Sequence, residues 1–138
     1  MGAYEIMEHT ADVGVIAIGE TLADALSWLA CGMFSIVADL DTVEPRESVE
    51  FSVQSSDIDS LAVDWLNELL YRYEAEFFLP NRFDLSVDEA GTCLTARCTG
   101  ERFDTERHSM ATSVKAATYH GLEVSRDDGW RIQVILDV

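Results

Sequence analysis

The residues best suited to bind a cation stand at the two ends of the chain. Asp12 follows the first short strand pattern, and Asp137 and Val138 close a strongly alternating strand. If that strand continues to its last residue, the Asp137 side chain and the terminal carboxylate have fixed positions and do not belong to a mobile tail. Pairing of the first and last strands would add Asp12, and such an oxygen cluster favours Ca²⁺ or Mg²⁺. The alternative is a solvated terminus that binds nothing.

His9 and Lys115 are the other polar residues whose positions could matter to function. His9 precedes Asp12 at the bend between the first two strands, and a His–Asp pair can support proton transfer. No Ser or Cys stands nearby in sequence to complete a nucleophilic set. The bend can equally be a turn in which Thr10 and Asp12 bond the backbone. Lys115 either pairs with an acid or contacts a partner or a phosphate. We assign His9 and Lys115 to partner contacts, predict no catalytic residue, and expect that the chain is not an enzyme.

The charge balance limits the classes of partner. The chain of 138 residues has 26 Asp and Glu against 9 Lys and Arg, a net charge of -17. This argues against direct nucleic-acid binding, which relies on Lys and Arg to neutralise phosphates, and against an anionic membrane surface. It suits a basic partner surface, a cation or a high-salt cytoplasm.

Several observations favour a reduced, cytoplasmic environment. No run of 18 apolar residues is present, so no membrane span is predicted. The first residues lack the basic and then apolar pattern of a secretory signal. The cysteines are odd in number and are not spaced as zinc ligands, so we expect structural packing of free thiols.

Two helices are predicted from hydrophobic periodicity. Thr21, followed three residues later by Asp24, marks an N-cap, and the apolar spacing predicts a helix over about 21–38. A second apolar stripe spans 62–73, and Pro80 with its neighbouring Asn is predicted to mark the exit from this helix.

The remaining periodicity predicts strands, and with the helices it indicates one α+β domain over residues 1–138. We expect a mainly antiparallel or mixed sheet with both helices on one face. His120 is predicted to lie in the core, because it shares a face of the strand with Leu122. Asp127–Gly129 is predicted to form a hairpin turn. The predicted strands are 4–9, 13–17, 49–54, 83–88, 94–99, 114–124 and 130–138.

Four stretches together resemble the archease family. They are His-Thr-Ala-Asp-Val-Gly at 9–14, the helical segment 61–70, the strand segment 114–120 and the end of the chain, 134–138. They occur in the expected order and span almost the whole sequence. Each stretch alone is a weak signal, but jointly they are specific.

The resemblance implies a protein cofactor of the RNA-splicing ligase RtcB. Such proteins promote guanylylation of the ligase and its multiple turnover, and RNA and GTP are bound through the ligase. The resemblance also implies a metal site, seen as Ca²⁺, formed by Asp12, Asp137 and Val138; Mn²⁺ or Mg²⁺ are alternatives. These are the three residues singled out above on their oxygen chemistry.

Two other functions stay open on the sequence. One is a chaperone-like adaptor for RNA-modifying proteins with no metal-dependent role. The other is a small hydrolase built on His9, Asp12 and Lys115. The excess of acids over what the resemblance requires is attributed to a solvated face, which a salt-adapted source would explain.

Overall fold

The computed structural model describes residues 2–8 and 12–138. Within them the chain forms seven strands, two α-helices and one short 3₁₀ turn. No helix in these residues is long and apolar enough to span a bilayer. In chain order the elements are β1 (Ala3–Glu8), β2 (Asp12–Gly19), α1 (Leu22–Val37), the 3₁₀ turn (Leu40–Thr42), β3 (Glu47–Gln54), α2 (Ile58–Glu76), β4 (Phe78–Val87), β5 (Cys93–Arg102), β6 (Ala116–Arg126) and β7 (Trp130–Asp137).

The strands are divided between two antiparallel sheets. One has the order β1-β2-β7-β6 and the other β3-β5-β4. The predicted α+β fold, with helices packed against antiparallel strands, is confirmed. The division into two sheets is an addition to it, because alternation shows which residues form a strand but not which strand is its neighbour. The pairing of β2 with β7 brings the two ends of the chain together.

α1 begins at its predicted cap, and both helices pack against strands of both sheets. The Thr21 hydroxyl accepts from the Asp24 N–H at 3.1 Å, and the Asp24 carboxylate faces the Thr21 N–H, which completes a capping box. α1 packs on β2 and β4, whereas α2 packs mainly on β6. Trp65 of α2 is fully buried, and its indole N–H donates to the Leu26 carbonyl at 2.9 Å. This bond ties the two helices within a common core.

The predicted exit of α2 lies too far along the chain. The helix ends at Glu76, and Phe77 takes the left-handed conformation, with φ of 58°, at its C-cap. Pro80 instead lies inside β4, where the register shifts between Pro80 and Arg82. β4 is an edge strand, and proline is tolerated there because the missing N–H removes no bond needed by a second neighbour.

A bulge in β6 changes which side chains face the core. Between the pairs Thr118–Ile135 and Glu123–Gln133, β6 advances five residues while β7 advances two. The number of additional residues in β6 is odd, so the residues that face the core change from one set of alternate positions to the other across the bulge. Gly121 takes a positive φ of 66° there, and its carbonyl accepts from the Gln133 amide at 2.9 Å.

The placement of His120 in the core is therefore wrong. His120 precedes the reversal and is exposed, whereas Leu122 follows it and packs against the core. The predicted hairpin turn after β6 is confirmed. Asp128 and Gly129 both have positive φ, 60° and 127°, as a tight turn between antiparallel strands requires.

Candidate metal centre

The two aspartates predicted to bind a cation face each other across β2 and β7. Asp12 is the direct register partner of Asp137. Directly opposite residues of an antiparallel pair project from the same face, with Cβ atoms about 5 Å apart. The neighbouring pair, Val13 and Leu136, points to the core, where Leu136 is fully buried. Asp12 and Asp137 therefore project from the outer face of the sheet. The first and last strands were expected to be neighbours, but β7 pairs with the second strand, β2, and this pairing brings Asp12 to Asp137.

Neither carboxylate is neutralised by the described part of the chain. No ion pair or side-chain hydrogen bond joins Asp12 or Asp137 to a residue within 2–8 or 12–138. Asp12 is half-buried and Asp137 is exposed. Like charges placed directly opposite each other destabilise a sheet, so this arrangement favours the entry of a cation.

Val138 and Lys115 lie at the same end of the sheet. Val138 directly follows Asp137, is half-buried and packs against the core. The Lys115 N–H donates to the Asp137 carbonyl at 2.8 Å. The Lys115 side chain is exposed and forms no ion pair with the described residues. Lys115 is thus placed at the tip of the sheet without the salt bridge that was one of its expected roles. His9 lies outside the described residues.

A surface cleft adjoins this pair of aspartates. Its volume is about 380 Å³, and Asp12, Gly121 and His120 lie along it. Met7 reaches over Gly14, where an added Cβ would stand 2.8 Å from the Met7 methyl group, so the absence of a side chain at Gly14 makes room for Met7. The remaining lining residues are Met7, Gln133 and Ile135.

His120 is the residue near the site that the sequence reasoning missed. It was assigned to the core because strict alternation through the whole of β6 was assumed. Gly121 directly after His120, inside an otherwise regular strand, was the available signal, since an isolated glycine in a strand often marks a bulge.

The donor chemistry fits a hard cation that other groups help to hold. Within the described residues, no three His, Cys, Asp or Glu side chains lie close enough together to form a metal site. Asp12 and Asp137 therefore provide two side-chain carboxylates, and Val138 can add main-chain oxygen. Because Ca²⁺ takes six to eight oxygen ligands, water or a partner must supply the remaining positions. The set contains no thiolate or imidazole, which softer metals prefer.

A second charged cluster surrounds the buried carboxylate of Glu101 in the three-stranded sheet. Glu101 is only 3% exposed, and its Oε2 accepts from Arg107 at 2.9 Å, the Glu44 N–H at 2.7 Å and His108 at 3.0 Å. Hydrogen bonds from Arg107, with further bonds from Glu44 and His108, lower the pKa of Glu101 to about 2. The His108 Nδ1 accepts from the Asp104 N–H at 2.9 Å, so its proton lies on Nε2. Every group is satisfied within the protein, and we interpret the cluster as structural.

A cavity of about 730 Å³ lies beside that cluster. Arg102 stacks over the ring of Phe77, with its guanidinium carbon 5.3 Å from the ring centre. The other basic groups along the cavity are paired, Arg46 with Glu44 and Arg107 with Glu101. Because its charges are largely balanced, we assign no ligand to this cavity.

The cysteines have the structural character that was predicted. Cys31, Cys93 and Cys98 are free, and Cys98 is fully buried in the core. Burial raises the pKa of Cys98 to about 12 and that of Cys31 to about 11. Since the thiolate is the nucleophile, these two thiols are unreactive near neutral pH.

Comparison with known proteins defines the family to which this fold and site belong. The sequence model of the Archease protein family (MTH1598/TM1083) matches residues 4–138. The archease of Sulfolobus acidocaldarius is 33% identical over 139 residues that cover 100% of both chains. The archease of Methanosarcina acetivorans is 36% identical, over 98% of this chain and 95% of its own. The chain belongs to the archease family.

Two solved structures share the fold. The solution structure of Methanobacterium thermoautotrophicum protein 1598 has a TM-score of 0.87 at 35% identity and covers 99% of both chains. The crystal structure of an archease from Thermotoga maritima, described as a possible chaperone, has a TM-score of 0.67 at 21% identity. That match covers 97% of this chain and 96% of its own. The resemblance predicted from the four sequence stretches is confirmed.

Proposed function

We propose that this protein activates an RtcB-type, GTP-dependent RNA ligase in the cytoplasm. It would promote guanylylation of the ligase and its multiple turnover in tRNA splicing and RNA repair. The observation that carries the proposal is the pair of opposed carboxylates of Asp12 and Asp137 at the outer tip of the four-stranded sheet, neither of which forms an ion pair with the residues that the structure describes. No residue of this chain is assigned a catalytic role, so the protein assists the ligase and does not itself join RNA.

Asp12, Asp137 and the main-chain oxygens of Val138 would hold a divalent ion, Ca²⁺ by preference, with Mn²⁺ or Mg²⁺ as alternatives. When bound, the ion supplies positive charge that stabilises the two carboxylates and polarises oxygen ligands from a partner. Antiparallel pairing fixes Asp12 against Asp137 before the partner arrives. The strands therefore provide a preorganised arrangement, which lowers the entropic cost of ligation.

The charge of the protein fits this partner. A net charge of -17 and an acidic tip suit a cleft lined by metal ions and by basic groups that bind phosphates. Electrostatic attraction of this kind raises the rate of association and fixes the orientation of the two proteins. RNA and GTP would contact the ligase, since this chain has few cations to hold phosphates. Lys115, at the tip, and His9 are the residues we assign to further contacts.

The proposal is tested by measuring guanylylation of an RtcB-type ligase with labelled GTP. Wild-type protein should accelerate the reaction, whereas Asp12→Ala and Asp137→Ala should largely abolish the acceleration. Asp84→Ala is the matched control, because Asp84 is also an exposed aspartate on a strand but belongs to the other sheet. No acceleration by wild-type protein would refute the proposal, and full activity of both tip variants would remove the tip from the mechanism.

A chaperone-like adaptor is the second candidate. The Thermotoga maritima protein of this fold is described as a possible chaperone. An adaptor would bind its client stoichiometrically and suppress aggregation with no dependence on Asp12. Light scattering of an aggregating RNA-modifying enzyme, with wild-type and Asp12→Ala protein, separates the two functions, since equal protection by both proteins would favour the adaptor.

A further inference from the structure

Asn67 of α2 binds the main chain of the edge strand β6. The Ala117 N–H donates to the Asn67 Oδ1 at 2.8 Å, and the Asn67 Nδ2 donates to the Ala117 carbonyl at 3.2 Å. Asn67 is half-buried, and Ala117 is only 5% exposed. A single side chain therefore satisfies both main-chain groups of a buried residue that lies 50 positions further along the sequence.

These two bonds take the place of a neighbouring strand. β6 is at the edge of its sheet, so every second residue turns its N–H and C=O away from β7. An unpaired buried main-chain group costs roughly 1–3 kcal/mol, and the Asn67 amide removes that cost at Ala117. Only an amide side chain both donates and accepts in this geometry, so Asp or Ala at this position cannot make both bonds.

The residues that precede Ala117 pair with Asp137 of the candidate metal centre. Ala116 is the register partner of Asp137, and the Lys115 N–H donates to the Asp137 carbonyl at 2.8 Å. The segment 115–117 is thus fixed on one side by Asp137 and on the other by Asn67. Asp137 in turn stands opposite Asp12. The Asn67 side-chain bonds, the Lys115–Asp137 main-chain bond and the pairing of β2 with β7 therefore connect α2 to the carboxylate pair.

We propose that Asn67 is a positioning residue for the metal centre. By holding Ala117, it fixes the first residues of β6 and so keeps Asp137 and Val138 in place against Asp12. Asn67 itself contacts neither the cation nor the partner. This inference depends on the metal centre of the proposed function, but it assigns a role to a residue outside that centre.

The test is Tb³⁺ luminescence, with Tb³⁺ as a probe for Ca²⁺, on wild-type protein, Asn67→Ala and Asn81→Ala. Asn81 is the matched control, since it is also a half-buried asparagine whose amide binds main chain, donating to the Val43 carbonyl at 2.9 Å. Groups that support metal ligands typically change affinity by about 10–100-fold when removed. We expect Asn67→Ala to weaken Tb³⁺ binding by at least about tenfold, and Asn81→Ala to leave it within about twofold of wild type.

Comparison of the two asparagine variants separates positioning from a general loss of stability. Equal Tb³⁺ affinity of wild-type and Asn67→Ala protein would overturn the inference, as would equal weakening by both variants. If wild-type protein binds no Tb³⁺, the metal centre itself is refuted, and this inference fails with it. That outcome is distinct from a wild-type site that binds normally but does not depend on Asn67.

A measurement on the wild-type protein covers the case in which Asn67→Ala does not fold. Hydrogen exchange of the Ala117 amide should slow by about tenfold or more when Ca²⁺ binds, because the cation fixes Asp137 and thereby segment 115–117. If the Ala117 amide exchanges at the same rate with and without bound Ca²⁺, the Asn67–Ala117 bonds are not coupled to the metal centre. That result would contradict the proposal.

Discussion

The Asp137→Asn variant should be more stable than wild type when no metal ion is bound. When a metal ion is bound, the variant should be less stable than wild type. Asp12 and Asp137 stand opposite each other, and no basic side chain of the described residues forms an ion pair with either carboxylate. If the charges are separated by about the same 5 Å as the Cβ atoms of such a pair, their repulsion is about 1 kcal/mol in water and about 3 kcal/mol at an effective dielectric constant of 20. Asp137 is exposed, so we expect a gain near the lower figure. Asn removes the charge and keeps the size of the side chain.

Bound Ca²⁺ should reverse the order of stability. At a concentration 100 times the Kd, a ligand that binds only the folded state stabilises it by about 2.7 kcal/mol. Wild-type protein should gain this amount, whereas Asp137→Asn, with one carboxylate removed, should gain much less. A free-energy difference of about 1 kcal/mol corresponds to roughly 3–5 °C in Tm for a domain of this size.

The assay is urea and thermal unfolding at low ionic strength, with EDTA or with saturating Ca²⁺. Asp84→Asn is the control, because Asp84 is an exposed aspartate that stands opposite Arg97 in the other sheet. Its effect should be small and the same in both buffers. The reasoning is refuted if Asp137→Asn is less stable than wild type in EDTA, or if Ca²⁺ stabilises both proteins equally.

Three other predictions concern the Glu101 cluster, the cleft and a helix cap. Glu101→Gln should cost about 1–2 kcal/mol in urea unfolding, because the buried carboxylate loses charge-assisted hydrogen bonds while its partner Arg107 is 35% exposed and therefore screened by solvent. Because the pKa of Glu101 falls from 4.5 to about 2, its contribution is complete above pH 4.5 and is lost as the pH falls towards 2. Glu101→Gln should therefore lose less stability than wild type over that range, and parallel pH profiles would contradict the assignment. His120→Ala should change stability by less than about 0.5 kcal/mol, because its side chain is exposed, but should weaken ligase activation; unchanged activation would exclude the cleft from the interface. Thr21→Ala should cost about 1 kcal/mol through loss of the cap on α1, and an unchanged unfolding midpoint would show that the cap is dispensable.

The carboxylate pair could be predicted from sequence because the signals at both ends of the chain are local. Strong alternation continues through Leu136 into Asp137, and Asp12 stands at the start of the second strand. The expectation that the first and last strands are neighbours was meant to bring the two residues together. The neighbour of β7 is instead the second strand, β2, and Asp12 still meets Asp137 because it is the first residue of β2.

The features that the sequence did not predict depend on irregularities within strands and on contacts between distant segments, and hydrophobic alternation shows neither. The bulge at Gly121 reverses the alternation within one strand and moves His120 to the surface. The Glu101 cluster unites residues from three separate segments, and alternation gives no indication that Glu44 and Arg107 meet there. The bonds of Asn67 to Ala117 could not be predicted, because helical periodicity does not show which strand lies beside α2.

Counting ligation events per ligase molecule tests the central claim most directly. With RNA in excess over an RtcB-type ligase, GTP and Ca²⁺, wild-type protein should support many joined products per ligase. Asp12→Asn, which keeps the size of the side chain but halves the charge of the pair, should leave the ligase near a single turnover, while Asp84→Asn should behave as wild type. Equal turnover with wild-type and Asp12→Asn protein would contradict the account.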